Sequence, residues 1–130
     1  MANYTKTNLK EIEDQAPRGG LSPGLKAHFA RAPLELQKSG ISYFRVAPNF
    51  RVPFGHLHKE QEEVYLVVDG SARVKVDDDV VELRPWDAIR IPPGSMRGFE
   101  AGSDGAEIVA FGAPNTENAD IDMKPGWWSD

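Results

Sequence analysis

The chain is a series of short apolar segments separated by turn-forming residues. From Pro17 onward, glycine and proline recur every few residues, and the segments between them are rich in Val, Ile, Phe and Tyr. Several segments alternate apolar and polar residues, which is the pattern of a strand with one buried face. Such short, closely spaced strands predict an all-β sandwich or barrel. The predicted strands lie at about residues 25–31, 41–47, 51–58, 62–69, 71–77, 79–84, 87–91, 96–101 and 106–112.

Turn residues predict how these strands connect. The dipeptide Asp69-Gly70 has hairpin chemistry, and Ser103-Asp104-Gly105 lies between two later strands in the same way. A third polar turn, residues 77–79, links two alternating segments. We therefore expect consecutive strands to be antiparallel.

The N-terminal segment carries the one helical signal. Asn8 is placed to cap a short helical turn in which Leu9 and Ile12 share a face, and the pattern supports one or two turns only. A chain of 130 residues has room for one domain, so we expect residues 1–130 to form it.

The C-terminal tail, residues 113–130, lies beyond a barrel core predicted at about residues 25–112. It begins with polar, turn-like sequence and ends with Trp127 and Trp128. Two adjacent indoles carry too much apolar surface to remain in water. We expect the tail to dock on its own barrel in preference to a neighbouring subunit.

Composition excludes several classes of chemistry. The absence of cysteine rules out disulfides, thiolate metal sites and cysteine nucleophiles. A net charge of -5 argues against a broad nucleic-acid surface. The longest apolar run, Val64–Val68, is too short to cross a bilayer, and the N-terminus lacks the apolar segment of a secretory signal. We therefore expect a cytoplasmic protein that contacts neither membrane nor nucleic acid.

Candidate metal ligands cluster between residues 53 and 70. His56 and His58 are two residues apart, so both imidazoles point to the same face of an extended strand. On the next strand Glu63 shares a face with Tyr65. If these strands are neighbours, two imidazoles and a carboxylate converge on a site suited to Fe, Mn, Ni, Co or Zn. The alternative is that the histidines are solvated and the glutamates form an exposed acidic edge.

The same stretch, PFGHLHKEQEEVYLVVDG, resembles the first motif of the cupin family. In that motif two histidines one residue apart are followed by a glutamate and, seven residues later, by a glycine. The matching residues here are His56, His58, Glu63 and Gly70.

A second stretch, WDAIRIPPGSMRGFEA at residues 86–101, is similar to the second cupin motif through Pro92 and Gly94. The resemblance covers about residues 40–112. It implies a double-stranded β-helix, the jelly-roll barrel of cupins, with its site inside the barrel mouth. It also implies a homodimer. Oxygenases, isomerases and decarboxylases all occur in this family, so the fold does not select a reaction.

Arg97 stands where metal-binding cupins have their fourth ligand, a histidine. A guanidinium has no lone pair to coordinate a cation. One interpretation keeps a metal on the three remaining ligands, with Arg97 binding an anionic substrate. A second has no metal and pairs Arg97 with Glu63. A third places Arg97 in solvent, but alternation puts it on the face of Phe99, which favours an inward side chain.

The preferred hypothesis is a cupin that binds a divalent metal through His56, His58 and Glu63 and takes up a small anionic molecule. The alternative is a metal-free, non-catalytic binding or sensing cupin. Arg97 and Tyr65 are the candidate catalytic residues. The residues predicted to bind substrate are Arg97, Tyr65, Trp86, Met96 and Phe99.

Overall fold

The computed structural model describes residues 3–130, and its regular secondary structure is almost entirely strand. Two short 3₁₀ helices, Leu9–Glu11 and Ala16–Gly19, precede the sheet. The strands are β1 (Leu25–Phe29), β2 (Gly40–Val46), β3 (Phe54–His58), β4 (Glu62–Val76), β5 (Asp79–Leu83), β6 (Ala88–Ile91), β7 (Arg97–Ala113) and β8 (Ile121–Pro125). The all-β prediction is therefore confirmed.

The strands form a curled sheet around two long central strands, β4 and β7. The order β1-β2-β7-β3-β8 runs across one part, and β4 pairs with β5, β6 and β7 in the other. All of these pairs are antiparallel, as the turn residues predict. The inward face of the sheet carries the apolar core, because alternate residues of each strand point to the same side. Its most deeply buried aliphatic side chains are Val46, Val67, Val74, Ile91 and Ile108. The result is the double-stranded β-helix expected from the sequence.

Two predicted hairpins are wrong. Asp69-Gly70 and Ser103-Asp104-Gly105 do not reverse the chain, because β4 and β7 each continue through them. The two strands instead bend together at this point, where their register shifts between Gly70 and Ala72. Gly70 and Gly105 both have positive φ, 74° and 76°, which glycine adopts without steric cost. The turn-like residues therefore mark a corner of the barrel.

The polar turn at residues 77–79 behaves as predicted. Val76 is in register with Asp79, so β4 and β5 form a hairpin closed by Asp77 and Asp78. The N-terminal turn is also confirmed, since the Asn8 side chain accepts a hydrogen bond from the backbone N–H of Lys10 at 2.9 Å.

The C-terminal tail docks on its own chain, as expected. The Trp128 ring lies 4.1 Å from the guanidinium of Arg51, and Trp128 is only 7% exposed. Trp127 packs against Gly55, where an added Cβ atom would stand 2.5 Å from the indole. The tryptophans are thus used within one chain and give no support to the predicted homodimer, which stays a prediction.

The tail also contributes a strand that the sequence pattern did not predict. β8 pairs along the full length of β3, from Phe54 opposite Pro125 to His58 opposite Ile121. Its sequence, IDMKP, is short and ends in proline, so it lacks the alternating apolar pattern that identifies the other strands. This pairing places the tail directly beside the strand that carries both candidate histidines.

None of the helices within residues 3–130 has the length and apolar character needed to cross a membrane.

Candidate metal centre and barrel cavity

The barrel contains a cavity of about 840 Å³ that opens at one end. His56, His58 and Glu63 lie in its wall, and so do Tyr65 and Phe99. Strands β3 and β4 place the first three side chains, since alternation turns them all inward. The cavity therefore brings the three predicted ligands together with two of the predicted substrate-binding residues, Tyr65 and Phe99.

The three candidate ligands converge as the sequence predicts. The ligand atoms of His56, His58 and Glu63 all lie within 4.8 Å of one another. His56 Nε2 is 3.8 Å from Glu63 Oε1, and His58 Nε2 is 4.0 Å from Glu63 Oε2. Two ligand atoms that share an ion about 2.1 Å from each can be separated by up to about 4.2 Å. The residues present therefore fit a divalent transition metal with at most a small adjustment of the side chains.

The alternative of an exposed acidic edge applies to the neighbouring glutamates but not to Glu63. Glu60 and Glu62 are exposed, and the Glu62 carboxylate lies 3.7 Å from the Arg90 guanidinium at the surface. The side chain of Glu63 is only 14% exposed and faces the histidines.

Asp120 orients His58 and was missed in the sequence. Its Oδ1 lies 3.1 Å from His58 Nδ1, so the ring donates its Nδ1 proton to the carboxylate and presents Nε2 to the cavity. Asp120 also accepts hydrogen bonds from Thr116 Oγ1 and from the backbone N–H groups of Glu60 and Gln61. A carboxylate behind a ligating histidine fixes the ring orientation and strengthens the ligand. Asp120 immediately precedes β8, so only the docked tail brings it here.

The electrostatic environment keeps Asp120 ionised and His56 neutral, which are the forms that a metal site requires. Burial raises the pKa of Asp120, but its hydrogen bonds from Thr116, Glu60, His58 and Gln61 outweigh that effect and hold the pKa well below its usual range. Burial, with the positive charge of Arg97 and the neighbouring His58, lowers the pKa of His56 to about 3. His56 is therefore a neutral imidazole at physiological pH, with a lone pair free for coordination.

Arg97 lies inside the barrel, which excludes the interpretation of a solvent-facing charge. It is 0% exposed, and its Nε is 3.7 Å from Glu63 Oε1. Among residues 3–130, no hydrogen-bond partner exists for its three guanidinium nitrogens or for Glu63 Oε1. Burial raises the pKa of the Glu63 carboxyl, and the charge of Arg97 opposes that shift. A buried, incompletely paired guanidinium is costly unless an anion or other acceptor reaches it.

The remaining predicted site residues divide into two groups. Tyr65 is 1% exposed, and burial together with the Glu63 carboxylate raises the pKa of its phenol, so it stays protonated. Phe99 packs edge-on against it, with ring centroids 5.7 Å apart. Met96 instead packs beside Gly55, and Trp86 is 72% exposed in the connection between β5 and β6. The structure does not bring Trp86 to the cavity, because its backbone turns there with a φ of 74° and directs the indole into solvent.

The role of Asp120 is testable with an isosteric substitution. Asp120→Asn is expected to weaken Ni²⁺ binding about 10–100-fold, because the neutral amide holds His58 less firmly and lowers its basicity. The matched control is Asp122→Asn, two residues away on β8, whose exposed carboxylate contacts only Lys59 at 3.8 Å within the described chain. Affinities are measured by competition with a chromogenic chelator. Equal affinities for the two variants would contradict the positioning role.

The family profile of the cupin domain matches residues 42–111. A cupin protein from Bacteroides fragilis has a similar structure, with a TM-score of 0.72 and 24% identity over 89% of this chain and 88% of that chain. A variant of oxalate decarboxylase from Bacillus subtilis aligns with a TM-score of 0.75 and 19% identity, over 94% of this chain and 33% of that chain.

Streptomyces Pac13, described as a nucleoside dehydratase, aligns in a variant bound to uridine with a TM-score of 0.73 and 18% identity, over 96% of this chain and 93% of that chain. The search of curated protein sequences found no match. Identities this low show a shared fold and leave the reaction open. The profile match, over more than half of the residues, shows that the chain belongs to the cupin domain family.

Proposed function

We propose that this cupin binds a divalent transition metal through His56, His58 and Glu63 and takes up a small anionic molecule beside it. The observation that carries the proposal is the convergence of these three ligand atoms within 4.8 Å at the wall of the cavity. The hydrogen bond from His58 to Asp120 supports it, because it directs the free nitrogen of His58 toward the same point.

Charge balance supports an anionic ligand. The site holds two carboxylates, Glu63 beside Arg97 and Asp120 behind His58, and one guanidinium, that of Arg97. With a divalent ion added, the site carries one net positive charge, which a singly charged anion neutralises. Arg97 also lacks a hydrogen-bond partner within residues 3–130, so an acceptor near Glu63 would lower the cost of its burial.

The residues around this centre have definable roles in catalysis. A metal held there supplies a Lewis acid that polarises a ligand oxygen or activates water or oxygen. Tyr65 keeps its proton at neutral pH and can donate it, as a hydrogen bond or as an acid, to a ligand atom at the cavity wall. Arg97 stabilises negative charge at Glu63 and on the ligand. A ligand that covers the apolar walls would exclude water from the centre.

The second candidate is a metal-free binding cupin, and one observation favours it. Arg97 Nε lies 3.7 Å from Glu63 Oε1, close enough for the guanidinium to neutralise the carboxylate in place of a metal. The cavity would then bind its small molecule without coordination chemistry.

Metal stoichiometry separates the two candidates. Tag-free protein that has not been exposed to a chelator is dialysed against Fe²⁺, Mn²⁺, Ni²⁺, Co²⁺ or Zn²⁺. Excess ion is then removed, and the metal content of the protein is measured. We expect about one equivalent per chain, held by three protein ligands with open positions for a ligand. The control is Glu62→Gln, which removes an exposed carboxylate next to Glu63 and should retain the same equivalent. A parent protein that retains no metal would favour the metal-free candidate.

A further inference from the structure

Phenylalanine side chains line the cavity from its mouth to the candidate metal centre. Five of the six phenylalanines of the chain line it: Phe29, Phe44, Phe54, Phe99 and Phe111. Four of its aromatic side chains form a continuous path. Phe29 at the rim is 5.8 Å from Phe44, Phe44 is 5.5 Å from Phe99, and Phe99 is 5.7 Å from Tyr65, measured between ring centroids.

A second aromatic contact lies directly against the centre. Phe54 shares the inward face of β3 with His56 and His58, and its ring centroid is 6.5 Å from that of His56. A molecule coordinated at the centre would therefore extend along phenyl faces. Aromatic faces favour flat rings in offset or edge-on contact.

Full charges are confined to two places in this cavity. At the inner end, the charged group in the lining is Glu63. The other charged lining residues within positions 3–130 are Glu11, Glu13, Arg31 and Glu117, and Arg31 lies 3.7 Å from Glu117. The mouth therefore has more acidic than basic groups, which disfavours a ligand that carries negative charge along its length. An anionic group is favourable only at the inner end, beside the metal and Arg97.

The size of the cavity agrees with a ligand larger than a simple two- or three-carbon acid. A volume of about 840 Å³ lies in the upper part of the range of about 300–1,000 Å³ usual for small-molecule sites. A short acid coordinated at the centre would leave the phenylalanine wall in contact with water. An apolar body attached to the same acid would cover that wall.

We propose that the ligand of this cavity is an aromatic acid or enol with one chelating oxygen head, which binds the metal through the head and the phenylalanine wall through its ring. This inference rests on the proposed metal site and narrows its ligand to a chemical class. A polyanion would meet no net positive charge at the mouth, where Glu13 and Glu117 are paired with arginines and Glu11 is acidic, and short aliphatic acids lose the contact with the phenylalanine wall.

Two acids with the same head test the proposal. Pyruvate and phenylglyoxylate present identical α-keto carboxylates and differ in a methyl or phenyl body. Each is titrated into the Ni²⁺-loaded protein by calorimetry. We expect phenylglyoxylate to bind at least about tenfold more tightly than pyruvate, because its ring replaces water on the aromatic wall. Equal affinity, or tighter binding of pyruvate, would overturn the inference without any need for a variant.

A matched pair of substitutions locates the preference. Phe54→Leu retains apolar volume but removes the aromatic face nearest His56, and it should narrow the preference for phenylglyoxylate over pyruvate about 3–10-fold. Phe50→Leu is the control, since Phe50 is also half-buried but packs against Gly24 and not in the cavity lining. A preference that survives Phe54→Leu, or that falls equally with Phe50→Leu, would count against the aromatic wall.

Metal content keeps the two proposals separable. Protein that holds Ni²⁺ but shows no preference for the phenyl acid overturns the ligand class and leaves the metal site intact. Protein that takes up no Ni²⁺ overturns the metal site, and with it the chelating head proposed here.

Discussion

Replacing His56 and His58 together by alanine is expected to abolish metal retention, from about one equivalent per chain to background. The substitution leaves Glu63 as the single ligand of the proposed centre. One carboxylate with Arg97 at 3.7 Å has no net charge to offer a cation, so the residual affinity should be negligible. Metal is measured by elemental analysis after loading and removal of excess ion.

The chain has a useful control in its one other histidine. His28 is 7% exposed, and its Nδ1 donates a hydrogen bond to the carbonyl oxygen of Ile12 at 2.7 Å. His28→Asn keeps a side-chain donor and should retain the metal in full. Because both proteins lose imidazole, the comparison separates a specific site from general adsorption by histidine. Retention of metal by the double variant would refute the proposed centre.

Gly70→Ala is expected to produce the largest loss of stability among the glycine substitutions. Gly70 has a φ of 74°, which costs an alanine about 1–2 kcal/mol. A Cβ atom there would also stand 2.1 Å from the carbonyl oxygen of Gly105, which is backbone of the adjoining strand and cannot rotate away. Forcing the strands apart costs about a further 1–3 kcal/mol. We therefore expect the free energy of unfolding to fall by about 2–5 kcal/mol.

The effect is measured as the shift in urea midpoint and is calibrated by Gly20→Ala. Gly20 has a similar φ, 71°, but nothing lies within 4 Å of the position where its Cβ would be. That variant should lose about 1–2 kcal/mol, the cost of the backbone conformation alone. The difference between the variants isolates the close approach of the two strands. Equal losses would show that the corner tolerates separation of β4 from β7.

Much of the fold could be predicted because it depends on local pattern. Alternation of apolar and polar residues located the central strands, since one face of each is buried in the barrel. The failures also have a local cause. Asp69-Gly70 has the composition of a hairpin, but a glycine with positive φ serves equally well at a bend, and only the pairing partner decides between them. The strand β8 carries too little apolar signal to be recognised before its partner is known.

The candidate site could likewise be predicted only in part. His56, His58 and Glu63 could be predicted because their spacing along two strands puts them on one face. Asp120 could not, since it reaches His58 across 62 residues of sequence and depends on the path of the tail. Trp86 is predicted to bind substrate, but it lies exposed in the connection between β5 and β6. Residue type alone does not indicate which side of a barrel a turn will present.

The pairing of β3 with β8 couples docking of the tail to binding at the ligand site. In the described chain, His56 is the one residue of β3 in register with β7, whereas all five residues of β3 are in register with β8. Dissociation of the tail would therefore leave the histidine strand nearly unsupported. If docking of the tail strengthens binding at the histidines, binding at the histidines strengthens docking of the tail by the same free energy. Removal of the tail is thus expected to weaken binding at His56 and His58.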